Sequence, residues 1–337
     1  MLSNEDKPKQ LTTIVYSALS LVLFLIVVSA TLFQILKLVE SHIKNDIRKN
    51  LAPIIETTSD MAEKWIAENL EDLALLSENP KLANPVSILL NPYKSEDNEI
   101  RKVELKKIRN FLNQWLRKHD ADDFFILAPD GRRIASMYDK PYEILKDHSA
   151  LFEDSFKGKR NFILPFKSDV EDGQLLMFFS IPVYDQNGNV QAIFVVSINP
   201  LARFSDIAKG VRPGETGELY FFNKEGFLIT ESRFEKELQQ MNILASDQKS
   251  ELNVRLVIPT KQFSKEQILS KSISKLPLTR MAELALAGNS GIELSPYLDY
   301  RGVSVIGVWN WNQQYGFGLA YEVDANEAYS SYFVIRN

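Results

Sequence analysis

Six side chains in the middle of the sequence have the residue types of a small-molecule binding site. They are Ser136, Tyr138, Phe152, Arg160, Phe178 and Ser180. The first two share one face of a predicted strand by alternation, as do the last two, and the middle two lie in the intervening segment. Hydroxyl groups and aromatic rings can hold an organic ligand, and Arg160 could pair with an anion such as a carboxylate. The alternative is that the aromatic residues belong to an ordinary core and that Arg160 lies on the surface.

A second concentration of aromatic residues lies near the end of the chain. Tyr297, Tyr300, Arg301, Trp309 and Trp311 fall within a short stretch, and the two tryptophans share one face of a predicted strand. These residues could form a stacking cage for a cation, or they could be a packed aromatic core.

Catalytic and metal-binding patterns are missing from the sequence. It has no Gly-x-Ser-x-Gly, no His-Glu-x-x-His and no phosphate-binding loop, and its histidines (His42, His119 and His148) are far apart. A net charge of −5 does not favour nucleic-acid binding. We therefore predict no catalytic residue, no metal ligand, no cofactor and no nucleic-acid partner.

The N-terminal region contains an apolar run without a charged side chain, residues 11–36. As a helix it would be about 39 Å long, enough to cross a bilayer core of about 30 Å with some tilt. A cleavable signal or a buried helix fits this length less well. Lys7 and Lys9 precede the run, but Lys37, Lys44 and Arg48 follow it, so flanking charge alone does not place the large domain outside.

Helical periodicity continues after the apolar run. Apolar residues at helical spacing predict a long helix over residues 37–78, which Pro53 could kink. Prolines at 80, 85 and 92 predict a loop, and a second helix is predicted over residues 95–118. Near the C-terminus, Asp324 and Glu327 have the spacing of a capping box that opens another helix.

Strand patterns in the rest of the chain occur twice. FFILAPDGRRIAS resembles the later LYFFNKEGFLITES, and SIPVYDQNGNVQAIFVVSI has a counterpart in DYRGVSVIGVWNWNQQYGFGLAYEVD. Each is a strand, a polar turn with glycine and another strand. The repetition predicts an α+β protein with two similar modules, each an antiparallel sheet flanked by helices.

Two segments resemble the double-Cache family of bacterial extracytoplasmic sensors. They are GETGELYFFNKEGFLITESRF at residues 214–234, and SPYLDYRGVSVIGVWNW with GFGLAYEVDANEAY within residues 295–329. The resemblance implies PAS-like modules, a small ligand in the membrane-distal module and a cytoplasmic output domain after a second membrane helix. Amino-acid-sensing members carry an Arg-x-Trp-Tyr cluster, absent here, and an aspartate where this chain has Ser197, so an amino acid ligand is not supported.

The residues and the resemblance together predict the following organisation. The segments are a cytoplasmic stub (1–10), a transmembrane helix (11–36), a long helix and loop (37–98), a membrane-distal Cache module (99–205), a membrane-proximal Cache module (206–325), and the start of a helix leading to a second span (326–337). The predicted function is that of a periplasmic ligand-sensing input domain anchored in the inner membrane, homodimeric through the long helix. Its output would be a histidine kinase or a nucleotide cyclase. The alternatives are a ligand-free dimerisation or partner-binding module and a membrane-tethered hydrolase.

Overall fold

The first element of the computed structural model is one helix of 72 residues, α1, at Asp6–Ser77. The structure describes residues 6–91, 98–119, 121–138, 149–167, 175–210, 214–259 and 276–330. Within these residues α1 is the single helix long and apolar enough to cross a membrane. Apolar side chains near its start, such as Leu23, Phe24 and Phe33, are each 63% exposed. The protein therefore leaves this part of α1 without a packing partner.

Beyond the apolar run, α1 becomes a core helix. Ile55, Ala62, Ile66 and Leu73 recur at helical spacing and are almost fully buried. Trp65 on the same helix makes edge-on contacts with three phenylalanine rings, at centroid distances of 6.4, 5.6 and 5.8 Å. The helix continues through Pro53. The C-terminal half of α1 is thus stabilised by packing rather than by its surface charges.

The first sheet, which we call the distal sheet, is antiparallel in the order β2-β1-β5-β4-β3. Its strands are β1 (Ala121–Leu127), β2 (Arg133–Ser136), β3 (Asn161–Lys167), β4 (Leu175–Tyr184) and β5 (Val190–Ile198). Helices α2 (Pro80–Leu90) and α3 (Asn98–Lys118) precede it, and a 3₁₀ turn at Ser149–Phe152 with the short α4 (Glu153–Phe156) lies between β2 and β3. This arrangement forms the distal module.

The second sheet, the proximal sheet, has the order β6-β9-β8-β7 and is also antiparallel. Helix α5 (Pro200–Lys209) leads into β6 (Glu218–Asn223), which is followed by α6 (Glu235–Gln240), α7 (Arg280–Leu286), β7 (Gly291–Leu298), β8 (Ser304–Asn312), β9 (Phe317–Asp324) and α8 (Ala325–Ala328). The order matches β1-β5-β4-β3 of the distal sheet. The two modules predicted from the repeated hairpins are confirmed.

One hydrophobic core joins α1 to both sheets. Ile66 of α1, Phe179 and Val196 of the distal sheet, and Phe221 and Leu319 of the proximal sheet belong to the same buried cluster. The opposite face of each sheet packs against a smaller core of its own. A single helix therefore lies against the inner faces of both modules.

The predicted loop around the prolines is in fact largely helical. Helix α2 begins at Pro80, whose missing N–H costs nothing at the first helical position, and Asn79 caps it by accepting from Lys81 N at 3.0 Å. Pro85 lies inside the helix and is buried with Leu82 and Leu89. Burial of this apolar face outweighs the helix-breaking effect of one proline.

The capping box predicted at the start of α8 is wrong. Asp324 makes no side-chain cap and instead accepts from Arg301 Nη2 at 2.8 Å. Glu327 accepts from the backbone N–H groups of Glu215 and Thr216, at 2.8 and 2.7 Å. Both carboxylates are used to join distant segments, and the predicted continuation of this helix beyond residue 330 lies outside the described residues.

Candidate functional site

The outer face of the distal sheet carries a cluster of aromatic rings. Phe125 of β1, Phe152 of the 3₁₀ turn and Phe178 of β4 lie with ring centroids 5.5 to 6.0 Å apart. Ile193 and Val195 of β5 complete the floor of this cluster. We call these five residues the distal aromatic cluster. The site predicted from sequence thus has Phe152 and Phe178 in contact, on the face turned away from α1.

Ser180 lies on the same face and is fully buried. It follows Phe178 at strand spacing and is paired with Val195 across the sheet. Its carbonyl accepts from the Ser155 hydroxyl at 3.2 Å, but its own Oγ has no hydrogen-bond partner among the described residues. A buried hydroxyl without a partner carries a desolvation cost that a ligand could relieve.

Ser136 belongs to this face too, but its hydroxyl is already engaged. Ser136 is paired with Phe125 and buried, and its Oγ donates to the carbonyl of Tyr138 at 2.6 Å. Arg109 Nε of α3 donates to the Ser136 carbonyl at 2.8 Å. Tyr138 itself is 54% exposed. The structure therefore places Ser136 beside the cluster, whereas the Tyr138 side chain is largely exposed.

Arg160 does not join the distal aromatic cluster. It is exposed and pairs through Nη1 with Glu71 Oε2 of α1. This ion pair directs the guanidinium towards α1, whereas the cluster lies on the opposite face of the sheet. Arg160 is thus not positioned to neutralise an anion bound against Phe178.

A buried carboxyl group on the outer face of the distal sheet was missed by the sequence analysis. Asp123 is 2% exposed and is paired with Ser197, which is in turn paired with Phe178. Its Oδ1 accepts from the backbone N–H groups of Phe124, at 2.7 Å, and Met137, at 3.2 Å. Alternation with Phe125 and Leu127 was the signal that could have found it. A buried carboxyl group therefore lies next to Ser197, on the neighbouring strand.

The aromatic residues of the proximal module surround two buried glutamates. Glu322 accepts from Tyr220 at 2.8 Å and from Tyr297 at 2.7 Å. Directly across the sheet, Glu218 accepts from Ser232 Oγ at 2.8 Å and from the Tyr300 hydroxyl. We call this group the proximal carboxylate network. It uses the tyrosine hydroxyl groups internally, so they do not form an open cage.

Burial determines the protonation of these carboxylates. Desolvation, reinforced by the charge of Asp299, raises the pKa of Glu322 to about 8, and desolvation also raises the pKa of Glu218. Arg301 lies nearby, bonded to Asp299 at 2.6 Å and stacked 3.7 Å over the Phe234 ring. Burial disfavours the Arg301 cation, but Asp299 and Asp324 together raise its pKa. Glu322 is thus largely protonated at neutral pH.

The tryptophans of the proximal module are packing residues. Trp309 is buried, and its Nε1 donates to the carbonyl of Asn289 at 2.8 Å. Trp311 packs at the edge of the same core against Phe222, with centroids 6.2 Å apart. Among the described residues no group of three His, Asp or Glu side chains could hold a metal ion.

Comparison with known proteins agrees with this architecture. A family model described as "Cache domain" matches residues 39–332. The chain belongs to the Cache domain family. Domains of this family are sensory rather than catalytic, and they bind small ligands in chemoreceptors and sensor kinases. No curated protein sequence matches the chain.

Solved structures share the fold of this Cache protein at low sequence identity. The ligand-binding domain of the Campylobacter jejuni chemoreceptor Tlp3 in complex with L-norvaline has a TM-score of 0.53 and 11% identity, over 85% of this chain and 94% of that one. The ligand-binding domain of Mlp24 with asparagine has a TM-score of 0.50 and 12% identity, over 87% of this chain and 98% of that one. These likenesses establish the fold.

Proposed function

We propose that this Cache protein is the ligand-sensing input domain of a transmembrane signalling receptor. The observation that carries the proposal is the shared core, in which α1 packs against both sheets and continues into an exposed apolar segment. A conformational change in the distal module would be transmitted to the same helix that enters the membrane. The signal would then be a shift between two arrangements of these packed elements.

The ligand site that we propose is the outer face of the distal sheet. Phe152, Phe178 and Ser180 would contact the ligand directly, with Ser136 beside them and Tyr138 at the rim. Asp123 adds a buried carboxyl group to this face, whose oxygens favour a ligand with an amine or several hydrogen-bond donors. The sequence suggested that Arg160 could pair with a carboxylate ligand. Such a ligand would need a different cation, because Arg160 pairs with Glu71.

The experiment uses the full chain in lipid nanodiscs. Thermal unfolding is measured with carboxylates, amines, purines and sugars, because a ligand at about 100 times its Kd stabilises the native state by about 2.7 kcal/mol. A hit should bind more weakly to Ser180→Ala and equally well to Ser87→Ala, a change at an exposed serine of α2. Absence of any stabilising compound, or a hit whose affinity is unchanged in Ser180→Ala, would refute the distal site.

Localisation is a separate part of the proposal. We place the protein in the inner membrane through residues 11–36, with both modules in the periplasm and an output domain, a histidine kinase or a nucleotide cyclase, in the cytoplasm. The chain contains no cysteine, so a single Lys236→Cys change on exposed α6 creates one unique label site. A membrane-impermeant maleimide should label it in spheroplasts; labelling only after lysis would reverse the topology.

A homodimer through α1 completes the proposed function. The solvent-exposed surface of this part of α1 is mainly polar. Met61 and Leu75 are apolar exceptions on it, 51% and 61% exposed. They are two heptads apart and so lie near one line along the helix. Exposed apolar side chains on such a line are typical of a helix that pairs with another helix.

A further inference from the structure

A groove of about 840 Å³ lies between the two modules. On the distal side it is lined by β3, and on the proximal side by the turn after β6, the segment around Leu252 and the turn between β8 and β9. We call it the inter-module groove. It borders the outer-face core of the distal sheet, with which it shares Ile163 and Phe166, but Phe152, Phe178 and Ser180 of the proposed ligand site do not line it.

The charges that line the inter-module groove do not balance. Arg160 is paired with Glu71, and Lys224 lies 3.9 Å from Glu225. The third cation, Lys167 at the end of β3, is half-buried and has no carboxylate partner among the described residues; its Nζ donates to the amide oxygen of Asn253. Burial lowers the pKa of Lys167.

Apolar side chains surround this lysine. Leu164 of β3 faces Phe227, Leu252 and Tyr315 of the proximal module across the groove, and all four remain partly exposed. Leu252 has a φ of +53°, a left-handed conformation that is rare for a bulky residue. Such backbone strain is often retained at ligand-binding positions. The groove thus combines a desolvated cation, an apolar wall and a strained backbone.

We propose that the inter-module groove is a second ligand site, which binds a small organic acid with an apolar body. The carboxylate would pair with Lys167, the groove cation for which the described residues supply no acidic partner, and the body would cover Leu164, Phe227 and Leu252. A carboxylate fits because it supplies both the missing charge and acceptors for the ammonium group. A desolvated cation gains more from this pairing than an exposed one.

A ligand in this groove would contact both modules at once. The direct polar link here is the hydrogen bond from Lys167 of the distal module to Asn253 of the proximal module. Phe162 and Tyr315 add an edge-on ring contact at 5.9 Å. An acid bound to Lys167 would therefore compete with Asn253 and change the contact between the modules.

The test measures the binding of phenylacetate, benzoate and hexanoate to the full chain in nanodiscs by titration calorimetry. Lys167→Met should weaken binding about tenfold or more, because a hydrogen bond to a charged group contributes about 1.5–3 kcal/mol. Lys167→Arg should retain most of the affinity. Lys236→Met, at an exposed lysine outside the groove, is the matched control and should bind normally. Phenylacetamide, which lacks the charge, should bind far more weakly than phenylacetate.

Several outcomes would overturn the inference. These are no binding of any of the three acids, equal binding by Lys167→Met, and equal binding of phenylacetamide. If Ser180→Ala loses phenylacetate binding while Lys167→Met keeps it, the acid binds at the distal face. That result refutes the groove and leaves the proposed function standing. Should Lys167→Met fail to fold, Lys167→Gln replaces it, with thermal unfolding as the check.

Discussion

At the residue scale, the proximal carboxylate network makes stability depend on pH. Glu322 binds its proton more tightly in the folded state, where its pKa is about 8, than in the unfolded chain, where it is about 4.5. The stabilisation from this proton is complete below the unfolded pKa and is lost as pH rises through the folded one. The wild-type protein should therefore become less stable between pH 5 and pH 8.

Glu322→Gln tests this dependence. An amide cannot ionise, so the variant should lose less stability between pH 5 and pH 8 than the wild type, although at pH 5 it is somewhat less stable because its hydrogen bonds to Tyr220 and Tyr297 are altered. Part of the pH dependence should remain in the variant, because the pKa of Glu218 is also raised in the folded state. Thermal midpoints at both pH values measure it, with exposed Glu283→Gln as control. A variant with the full wild-type slope would contradict the assignment.

Ser180→Ala separates ligand binding from folding. The hydroxyl is buried and has no partner in the described structure, so its removal should leave the unliganded protein equally stable or up to about 1 kcal/mol more stable. Chemical or thermal unfolding without ligand measures this. A loss of more than about 1 kcal/mol would show that the hydroxyl makes a structural hydrogen bond.

Glycine is required at position 318 because the Phe222 ring occupies the space that a Cβ atom would need. A Cβ at this position would lie 2.0 Å from the Phe222 ring, which is buried between the sheet and the proximal core. Gly318→Ala should therefore destabilise the protein by about 1–3 kcal/mol, the usual cost of overpacking. Gly210→Ala is the control, since its added Cβ makes only ordinary contacts at 3.5 Å. Equal thermal midpoints for the two variants would contradict this packing.

The residue types of the candidate site could be predicted, but not every position. Strand alternation predicted that Phe178 and Ser180 share one face, and Phe152 was predicted in the segment between the strands. Asp123 and the Glu71 partner of Arg160 were not foreseen, because a strand pairing with Ser197 and an ion pair with Glu71 depend on residues far away in sequence. Single-sequence periodicity carries no information on such long-range partners.

At the element scale, α1 was predictable because its packing repeats along the chain. The helical spacing of Ile54, Thr58, Met61 and Trp65 predicted the long helix after the apolar run. The structure buries Thr58 and the neighbouring Ile55, Ala62 and Ile66, and it leaves Met61 51% exposed. Helix α2 was not expected, because Pro80 and Pro85 are usually read as breakers. A buried apolar face and a first-turn position for Pro80 explain why the helix forms.

Cross-linking tests whether α1 pairs with a second copy. Met61→Cys should form a disulfide dimer under mild oxidation, since an exposed apolar line on the helix would face its symmetry mate. Lys236→Cys on α6 is the control and should stay monomeric. The absence of native cysteine makes the readout on a non-reducing gel unambiguous. Equal cross-linking of both variants would argue against α1 as the dimer surface.

At the scale of the whole molecule, the duplication was visible in the sequence because each module repeats the same hairpins. Gly131 and Gly226 occupy corresponding turns and both have a φ of +81°. The inter-module groove was not visible, because its walls come from β3, Leu252 and the turn at Tyr315, which no local pattern connects. Family resemblance supplied the sensory role, and the structure supplied the contacts that would carry it.

Because α1 is unbroken, it fixes the rotation of both modules relative to the exposed apolar segment at its start. A single alanine inserted between residues 37 and 45 would turn both modules by about 100° around the axis and raise them by about 1.5 Å. An insertion of seven residues would nearly restore the original heading. The output of the proposed receptor should accordingly oscillate with insertion length instead of declining steadily, as expected for a rigid helix and not for a flexible linker.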